Sequence, residues 1–206
     1  GGSGVGGMVG GGGGGGARGG GRRRADWRWV EGIRAGATES AQEDGATPRL
    51  PGRGGRPARP GPAVLVDVEG GLSDASGRQH LLARQPRPWA EFFEASLHDP
   101  PISEGIRLVA GLVGDRAMIL VTARPARLAD TTMAWMERHS VPWDLLVMRS
   151  DGDHRSSPEV KSDALEGLRA DGYEVQLAID DDPGNVRMYR AAGVPSVYLH
   201  SGYYDL

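Results

Sequence analysis

The chain has 206 residues, a net charge of −3 and no cysteine, so disulfide frameworks and thiolate metal sites are excluded. Its 34 glycines and 14 prolines crowd toward the start, including the run Gly10–Gly16, and hydrophobic content is only 38%. That combination points to one globular unit diluted by a low-complexity segment. No apolar run approaches the roughly 20 residues a spanning helix needs, and the cluster Arg22–Arg24 leads into no apolar signal region. A soluble, cytoplasmic protein with no membrane partner is the expectation.

Charge divides along the same line as composition. Residues 1–62 hold ten arginines against five acids, so the remainder carries the net negative charge. A basic tail on an acidic domain can touch a polyanion, and Trp27 and Trp29 beside arginines offer stacking surface. The compositional reading of 1–62 is a disordered Gly/Arg/Pro-rich tail and linker. It ends in PRLPGRGGRPARPGP, where proline and glycine block helix and ladder alike. Within it, ADWRWVEGIRA predicts at most a transient turn of helix held by Trp27, Trp29 and Ile33.

From Ala63 onward the pattern changes to alternating elements. AVLVD (63–67) is a short apolar run of the buried-strand type. RPWAEFFEASL (87–97) has helical spacing at Trp89, Phe92, Phe93 and Leu97. SEGIRLVAGLVG (103–114) predicts a helix with Ser103 as N-cap and Gly114 as stop. AMILVT (117–122) is the second strand, ARLADTTMAWMERHS (126–140) a helix, and WDLLVM (143–148) the third strand. SPEVKSDALEGLRADG (157–172) is a helix with Ser157 as cap, Pro158 at the first helical position and Gly172 at the end. EVQLAID (174–180), a helix over 184–193, and PSVYLH (195–200) complete the series. Strands alternating with helices imply right-handed crossovers and a mostly parallel sheet, with ligands bound beyond the carboxyl ends of the strands.

The polar residues of interest stand at those ends. Asp67 and Glu69 follow the first strand at i, i+2 and can face one phosphoryl group, one as nucleophile and the other as acid/base. Gly70 and Gly71 let the backbone turn beside it. In LAIDDDPGNV (177–186), Asp182 before Pro183 predicts a helix cap, while Asp180 and Asp181 suit a magnesium ion, which prefers hard oxygen ligands. Lys161 is the only lysine of the chain, which otherwise uses arginine for positive charge. A point-charge ammonium there suits a phosphate and an aspartate nucleophile. In ILVTARP (119–125), Thr122 can hydrogen-bond a phosphoryl oxygen and Arg124 can bind phosphate bidentately.

DVEGGL, VTARP, VK in a helix and AIDDDP occur in the order of the motifs of haloacid dehalogenase (HAD) phosphatases. Over nearly all of 63–206 the chain resembles that superfamily. RPWAEFF, MRSDGDHRSSPEVK and LAIDDDPGNVRMYRAAGV make it most similar to the compact 3′-phosphatase domains of the bacteriophage polynucleotide kinase kind. The resemblance implies a Rossmannoid three-layer αβα sandwich. Its five parallel strands, counted from 63–67, would stand in the order 3-2-1-4-5 under a minimal cap, with the phosphatase domain at 63–206. It also implies a magnesium-dependent phosphomonoester hydrolase working through an aspartyl-phosphate. By position, Asp67 becomes the nucleophile and Glu69 the acid/base residue, with the Glu69 carbonyl a metal ligand. Thr122 and Lys161 hold the phosphoryl group, Arg124 contacts substrate, and Asp67, Asp180 and Asp181 complete the magnesium site. The expected substrate is a polynucleotide 3′-phosphate end, with a nucleotide or other small phosphate ester as the alternative. Arg149, His154 and Arg155 are candidates for contacts to a phosphate backbone. The family usually has aspartate where Glu69 stands and threonine where Gly71 stands. Those departures leave open a catalytically impaired phosphate-binding module.

Overall fold

The structure, a computed structural model, describes residues 28–31 and 60–204. Its strands are β1 (Arg28–Glu31), β2 (Pro62–Val66), β3 (Ala117–Pro125), β4 (Leu145–Arg149), β5 (Glu174–Asp180) and β6 (Ser196–Tyr198). Its helices are α1 (Trp89–Glu94), α2 (Ser103–Leu112), α3 (Ala129–Arg138), α4 (Ser157–Ala170) and α5 (Pro183–Ala191), with 3-10 turns at Ala75–Ala83, Ala95–His98 and Ala126–Leu128. The five strands predicted from sequence are all present and parallel, in the order β4-β3-β2-β5-β6. Counted from β2, that is the expected 3-2-1-4-5. The crossovers reverse direction at β2, which places the crevice above its carboxyl end.

Alternation along the strands builds three layers. Val64 and Val66 share one face with Met118, Leu120, Leu146 and Met148, covered by Val109 of α2 and by Trp135 and Met136 of α3. Ala63 and Leu65 turn to the other face with Ile119, Val121 and Val147, covered by Ala164, Leu165 and Leu168 of α4 and Tyr189 of α5. Both faces are buried, which is why these strands read as continuous apolar runs. Each large aliphatic side chain so buried contributes roughly 1.5–3 kcal/mol relative to exposure, so the position of β2 and β5 is set by the core rather than by the polar residues at their ends.

Three local expectations are corrected. Residues 28–31 form a strand rather than a helical turn, paired antiparallel with β4 from Arg28↔Met148 to Glu31↔Leu145. The β4 edge offers a row of unpaired backbone groups, and a segment bearing Trp29 and Val30 has the propensity to pair with it. Pro62, expected as the last linker residue, is the first residue of β2; residues 1–27 and 32–59 of the expected tail lie outside the described residues. Ser103 is the first residue of α2 instead of its cap, and no side chain caps that end. Ser156, not Ser157, caps α4: Glu159 accepts hydrogen bonds from the Ser156 backbone N–H (2.9 Å) and hydroxyl (2.5 Å), a pairing that needs a three-residue spacing. Asp182 does cap α5, accepting from the Gly184 N–H at 2.6 Å.

Between β2 and α2 the chain folds into a small cap around Ala75, Leu81 and Phe92. Gly105 lets α2 approach closely, because a Cβ there would stand 1.8 Å from the Gly71 carbonyl oxygen. Among the described residues no helix is long and apolar enough to cross a membrane.

Candidate active site

Two charged clusters meet above the carboxyl end of β2. The first contains the aspartates. Asp67 follows β2, and its N–H donates to the Ile179 carbonyl at 2.9 Å, tying together the ends of two neighbouring strands. Asp180 ends β5 and Asp181 follows it, so carboxylate oxygens of Asp67, Asp180 and Asp181 lie within 4.8 Å of one another, all buried. Lys161 reaches in from α4, its Nζ 2.8 Å from Asp67 Oδ1 and 2.8 Å from Asp180 Oδ2. The Val68 N–H also donates to Asp67 Oδ1 (2.8 Å), which leaves Oδ2 as the oxygen with an available lone pair.

The three carboxylates are not equivalent. Asp180 Oδ1 accepts from Asn185 Nδ2 (3.0 Å) and from the Asp182 N–H (2.9 Å), while its Oδ2 takes Lys161. Asp181 Oδ2 is buried with no hydrogen-bond partner among the described residues. A Cβ on Gly70, which has φ +67°, would stand 1.9 Å from that oxygen, so glycine is required for both conformation and space. Burial pushes the Asp67 carboxyl well above its ordinary value; Lys161 opposes this, and Asp180, Asp181 and Glu69 add to it. Burial likewise lifts Asp181 to about 7, against a hydrogen bond from Ser201 and with the charge of Asp180. Burial works against the Lys161 ammonium, but Asp180 and Asp67 outweigh it and hold it protonated. One ammonium facing three carboxylates leaves an excess of negative charge on hard oxygen donors, with one oxygen unpaired. That donor set fits a divalent magnesium-like cation.

The second cluster is a clamp on Glu69. Thr122 Oγ1 donates to Glu69 Oε2 at 2.9 Å, Arg124 Nε donates to Oε1, and Arg78 Nη2 reaches Oε1 at 3.2 Å. Arg124 is fully buried, and its remaining donors go to Ser73 Oγ (3.1 Å) and Thr132 Oγ1 (3.4 Å). Arg78, in the 3-10 turn of the cap, donates to Asp99 from Nε (2.9 Å) and Nη2 (2.6 Å) and to the Phe92 carbonyl from Nη1 (3.1 Å). Its guanidinium lies 4.1 Å over the Phe92 ring. Asp99 also accepts from Ser73 Oγ (2.6 Å), and its carbonyl from Trp135 Nε1 (2.8 Å). Burial disfavours the Glu69 anion, but Arg124 and Arg78 prevail and lower its pKa to about 2.

The residues singled out from sequence thus converge, in two groups. Asp67, Lys161, Asp180 and Asp181 form one; Glu69, Thr122 and Arg124 form the other. Arg124 points inward to Glu69 rather than out to solvent. Arg149 is spent on backbone, donating to the carbonyl of Ala123 in β3 (3.0 Å) and to those of Asp153 (3.1 Å) and Arg155 (2.6 Å) in the loop after β4. Arg155 pairs with Asp153 (2.8 Å) and Asp163 (2.7 Å), and His154 is exposed. Arg78, Asp99, Ser73 and Asn185 were missed. Asn185 carried a signal, being polar in the first turn of a helix that begins at the aspartate cluster. Arg78 and Asp99 carried none, since arginine and aspartate in a Gly- and Pro-flanked stretch look the same whether solvated or buried.

A model of the HAD family described as the polynucleotide kinase PNKP phosphatase domain matches residues 61–204. This chain belongs to that family. Its fold is similar to that of a chain in the structure of a Pnkp1/Rnl/Hen1 complex, at 22% identity and a TM-score of 0.56, covering 66% of this chain and 45% of the other. A chain in the structure of the Pnkp1/Rnl/Hen1 RNA repair complex is similar at 22% identity and a TM-score of 0.56, covering 68% of this chain and 42% of the other. This chain therefore spans less than half the length of either. It is an HAD-type phosphatase-family domain resembling the PNKP phosphatase domain, on a parallel α/β scaffold.

Proposed function

We propose that residues 63–206 carry a magnesium-dependent phosphomonoester hydrolase that works through an aspartyl-phosphate on polynucleotide 3′-phosphate ends, and that 1–62 supplies no catalytic residue, contributing to the domain the edge strand at 28–31 and the start of β2. The observation that carries this reading is the Asp67–Asp180–Asp181 cluster with a single buried ammonium on it. Lys161 and the Val68 N–H fix Asp67 through Oδ1 and leave Oδ2 to attack phosphorus. The P–O ester bond breaks as the Asp67–phosphorus bond forms, and the leaving oxygen takes a proton from Glu69. Water then attacks phosphorus, gives its proton to Glu69, and releases phosphate and the Asp67 carboxylate. Asp67, Asp180, Asp181 and the Glu69 carbonyl would hold the magnesium ion, Asp180 also orienting Lys161 beside them. The bound ion would supply charge neutralisation for the phosphoryl oxygens.

Thr122 and Arg124 give their hydrogen bonds to Glu69 in this structure. A phosphoryl group entering beside Thr122 would compete for its hydroxyl and for the charge of Arg124, the strongest hold on the Glu69 anion, and drawing both away would favour a proton on Glu69. The RNA repair setting named for a similar chain supports a nucleic-acid substrate.

A second reading, a phosphate-binding module with impaired turnover, is favoured by the same clamp, because a glutamate held at a pKa of about 2 carries no proton at neutral pH. A phosphatase screen with magnesium, across 3′-phosphorylated oligonucleotides, nucleotides and an aryl phosphate, decides between them. Turnover that chelator abolishes is the expected result. Phosphate binding without turnover on any substrate selects the module, and turnover confined to nucleotides selects a small-molecule phosphatase.

A further inference from the structure

Trp89 opens α1 and takes no part in the chemistry above. It is 47% exposed, yet its ring is held by two others. It stacks on Phe93 with centroids 5.9 Å apart at 24°, and meets Phe92 in a T-shaped contact at 5.8 Å and 85°. Phe92 and Phe93 touch at 5.4 Å, so the three rings form one cluster. The Trp89 N–H donates to the Arg87 carbonyl at 2.9 Å, which fixes the backbone beneath the ring. An indole ordered in this way loses little further freedom when a second flat ring stacks on it.

The cluster reaches the active site. The Phe92 ring lies 4.1 Å from the Arg78 guanidinium, the Phe92 carbonyl accepts from Arg78 Nη1 at 3.1 Å, and Arg78 Nη2 stands 3.2 Å from Glu69 Oε1. Trp89, Phe92, Arg78 and Glu69 thus form a continuous file from solvent to the carboxylate clamp. Its steps of 5.8, 4.1 and 3.2 Å make a span that a few linked nucleotides cover. Arginines border the outer end. Arg87 is exposed two residues before the indole, Arg84 pairs with Glu91 of α1 at 2.8 Å, and Arg127 pairs with Glu94 of α1 at 3.7 Å, all of them exposed. Pairs so exposed contribute only about 0–1 kcal/mol, so either guanidinium can leave its glutamate for a phosphate. Arginines beside an open aromatic ring are the combination on which single-stranded nucleic acid stacks.

We propose that Trp89 is a stacking platform for a single strand of nucleic acid whose 3′-phosphate lies at Asp67, with Arg84, Arg87 and Arg127 taking its backbone phosphates. The subsite rests on the reading of this domain as a phosphatase of polynucleotide ends. It takes a base upstream of the terminal one, because Phe92 and Arg78 stand between the indole and Glu69. Stacking uses a π-face that every base has, so the subsite tolerates any sequence and fails only where the base is missing.

The test is fluorescence anisotropy on the full chain carrying Asp67→Asn, in magnesium, with 3′-phosphorylated oligonucleotides that carry one abasic residue at successive positions from the end. One upstream position should weaken binding about tenfold, the loss of one stacked base. Trp89→Ala should weaken the intact oligonucleotide by the same factor and flatten the scan, and Trp89→Phe should keep most of the preference. With Asp67 intact, Trp89→Ala should raise KM for the oligonucleotide rather than lower kcat, and should spare a nucleoside 3′-phosphate, which is too short to reach the indole. A scan that is flat, or sensitive at the terminal base alone, overturns the platform. So does a loss in Trp89→Ala that is equal for the oligonucleotide and the nucleoside 3′-phosphate, since that marks a packing role in the cap. In each of these cases, hydrolysis of the oligonucleotide by the unmutated chain keeps the phosphatase reading in place. If the unmutated chain hydrolyses no 3′-phosphorylated oligonucleotide, the reading and the platform fall together.

Discussion

The two charged clusters above β2 are both built from buried carboxylates facing buried cations and resolve their charge in opposite ways. In the clamp, Glu69 and Asp99 face Arg78 and Arg124, so anions and cations balance and nearly every donor is spent. In the aspartate centre, Lys161 faces three carboxylates and Asp181 keeps an unpaired buried oxygen. A balanced buried network rigidifies what surrounds it; an unbalanced one is stable only when something else brings the missing charge. The clamp is thus balanced without a ligand and holds Glu69 in position, whereas the aspartate centre is the cluster that a cation would complete.

The largest effect should come from the centre. Asp67→Asn should cut turnover by at least about a thousandfold, as loss of a catalytic nucleophile does, with an unchanged circular dichroism spectrum. Turnover at the level of the unmutated chain would exclude covalent catalysis through Asp67. Lys161→Met removes the single cation, and breaking a buried pair in this way costs about 3–5 kcal/mol. Urea unfolding should show that loss, and magnesium should recover part of it.

Asp99→Asn tests the clamp. It should also destabilise by about 3 kcal/mol, because Arg78 is left buried beside a neutral amide, but magnesium should not recover it. Equal recovery of the Lys161 and Asp99 variants by magnesium would break the distinction between the clusters.

The pH dependence sharpens the same distinction. With its folded pKa near 7, above the ordinary aspartate value, Asp181 binds more protons in the folded chain than in the unfolded one. Its contribution to stability is therefore present at low pH and lost as pH rises through about 7. Metal-free protein should show a melting temperature that falls from pH 5 to pH 8, and magnesium should raise it more at pH 8 than at pH 5. Glu69 has the opposite sign: its folded pKa of about 2 lies below the ordinary value, so its contribution is kept above the ordinary glutamate range and lost in acid. A metal-free melting temperature that rises between pH 5 and pH 8 would contradict the assignment for Asp181.

The smallest effect is expected at Glu69 itself. Aspartate is one methylene shorter and fits the clamp less tightly, so Glu69→Asp should raise kcat several-fold on alkyl or nucleoside phosphates and less on an aryl phosphate, whose leaving group needs little protonation. Glu69→Gln should lower the rate if glutamate already serves as acid/base. No change in either variant would assign Glu69 to the framework alone.

The sequence by itself determined the scaffold and the list of aspartates. Continuous apolar runs in AVLV and AMILV, helical spacing in SPEVKSDALEGL and the stop at Gly172 are local, short-range consequences of strand and helix geometry, and they placed Asp67 and Asp180 at the carboxyl ends of their strands and Lys161 on its helix, while β3 runs on past Thr122 to Pro125. It could not determine which charge meets which. Arg78 and Asp99 are 21 residues apart and Glu69 and Arg124 are 55 apart, so their pairing exists only once the cap has folded onto α2 and β3. The same holds for the inward turn of Arg124, for strand β1 on the β4 edge, and for the segment after β6, whose Tyr203 hydroxyl reaches Asp74. A charged or aromatic side chain has the same letter in solvent as in a buried network, and the difference between those two environments is made by the tertiary packing that excludes water from one and not the other.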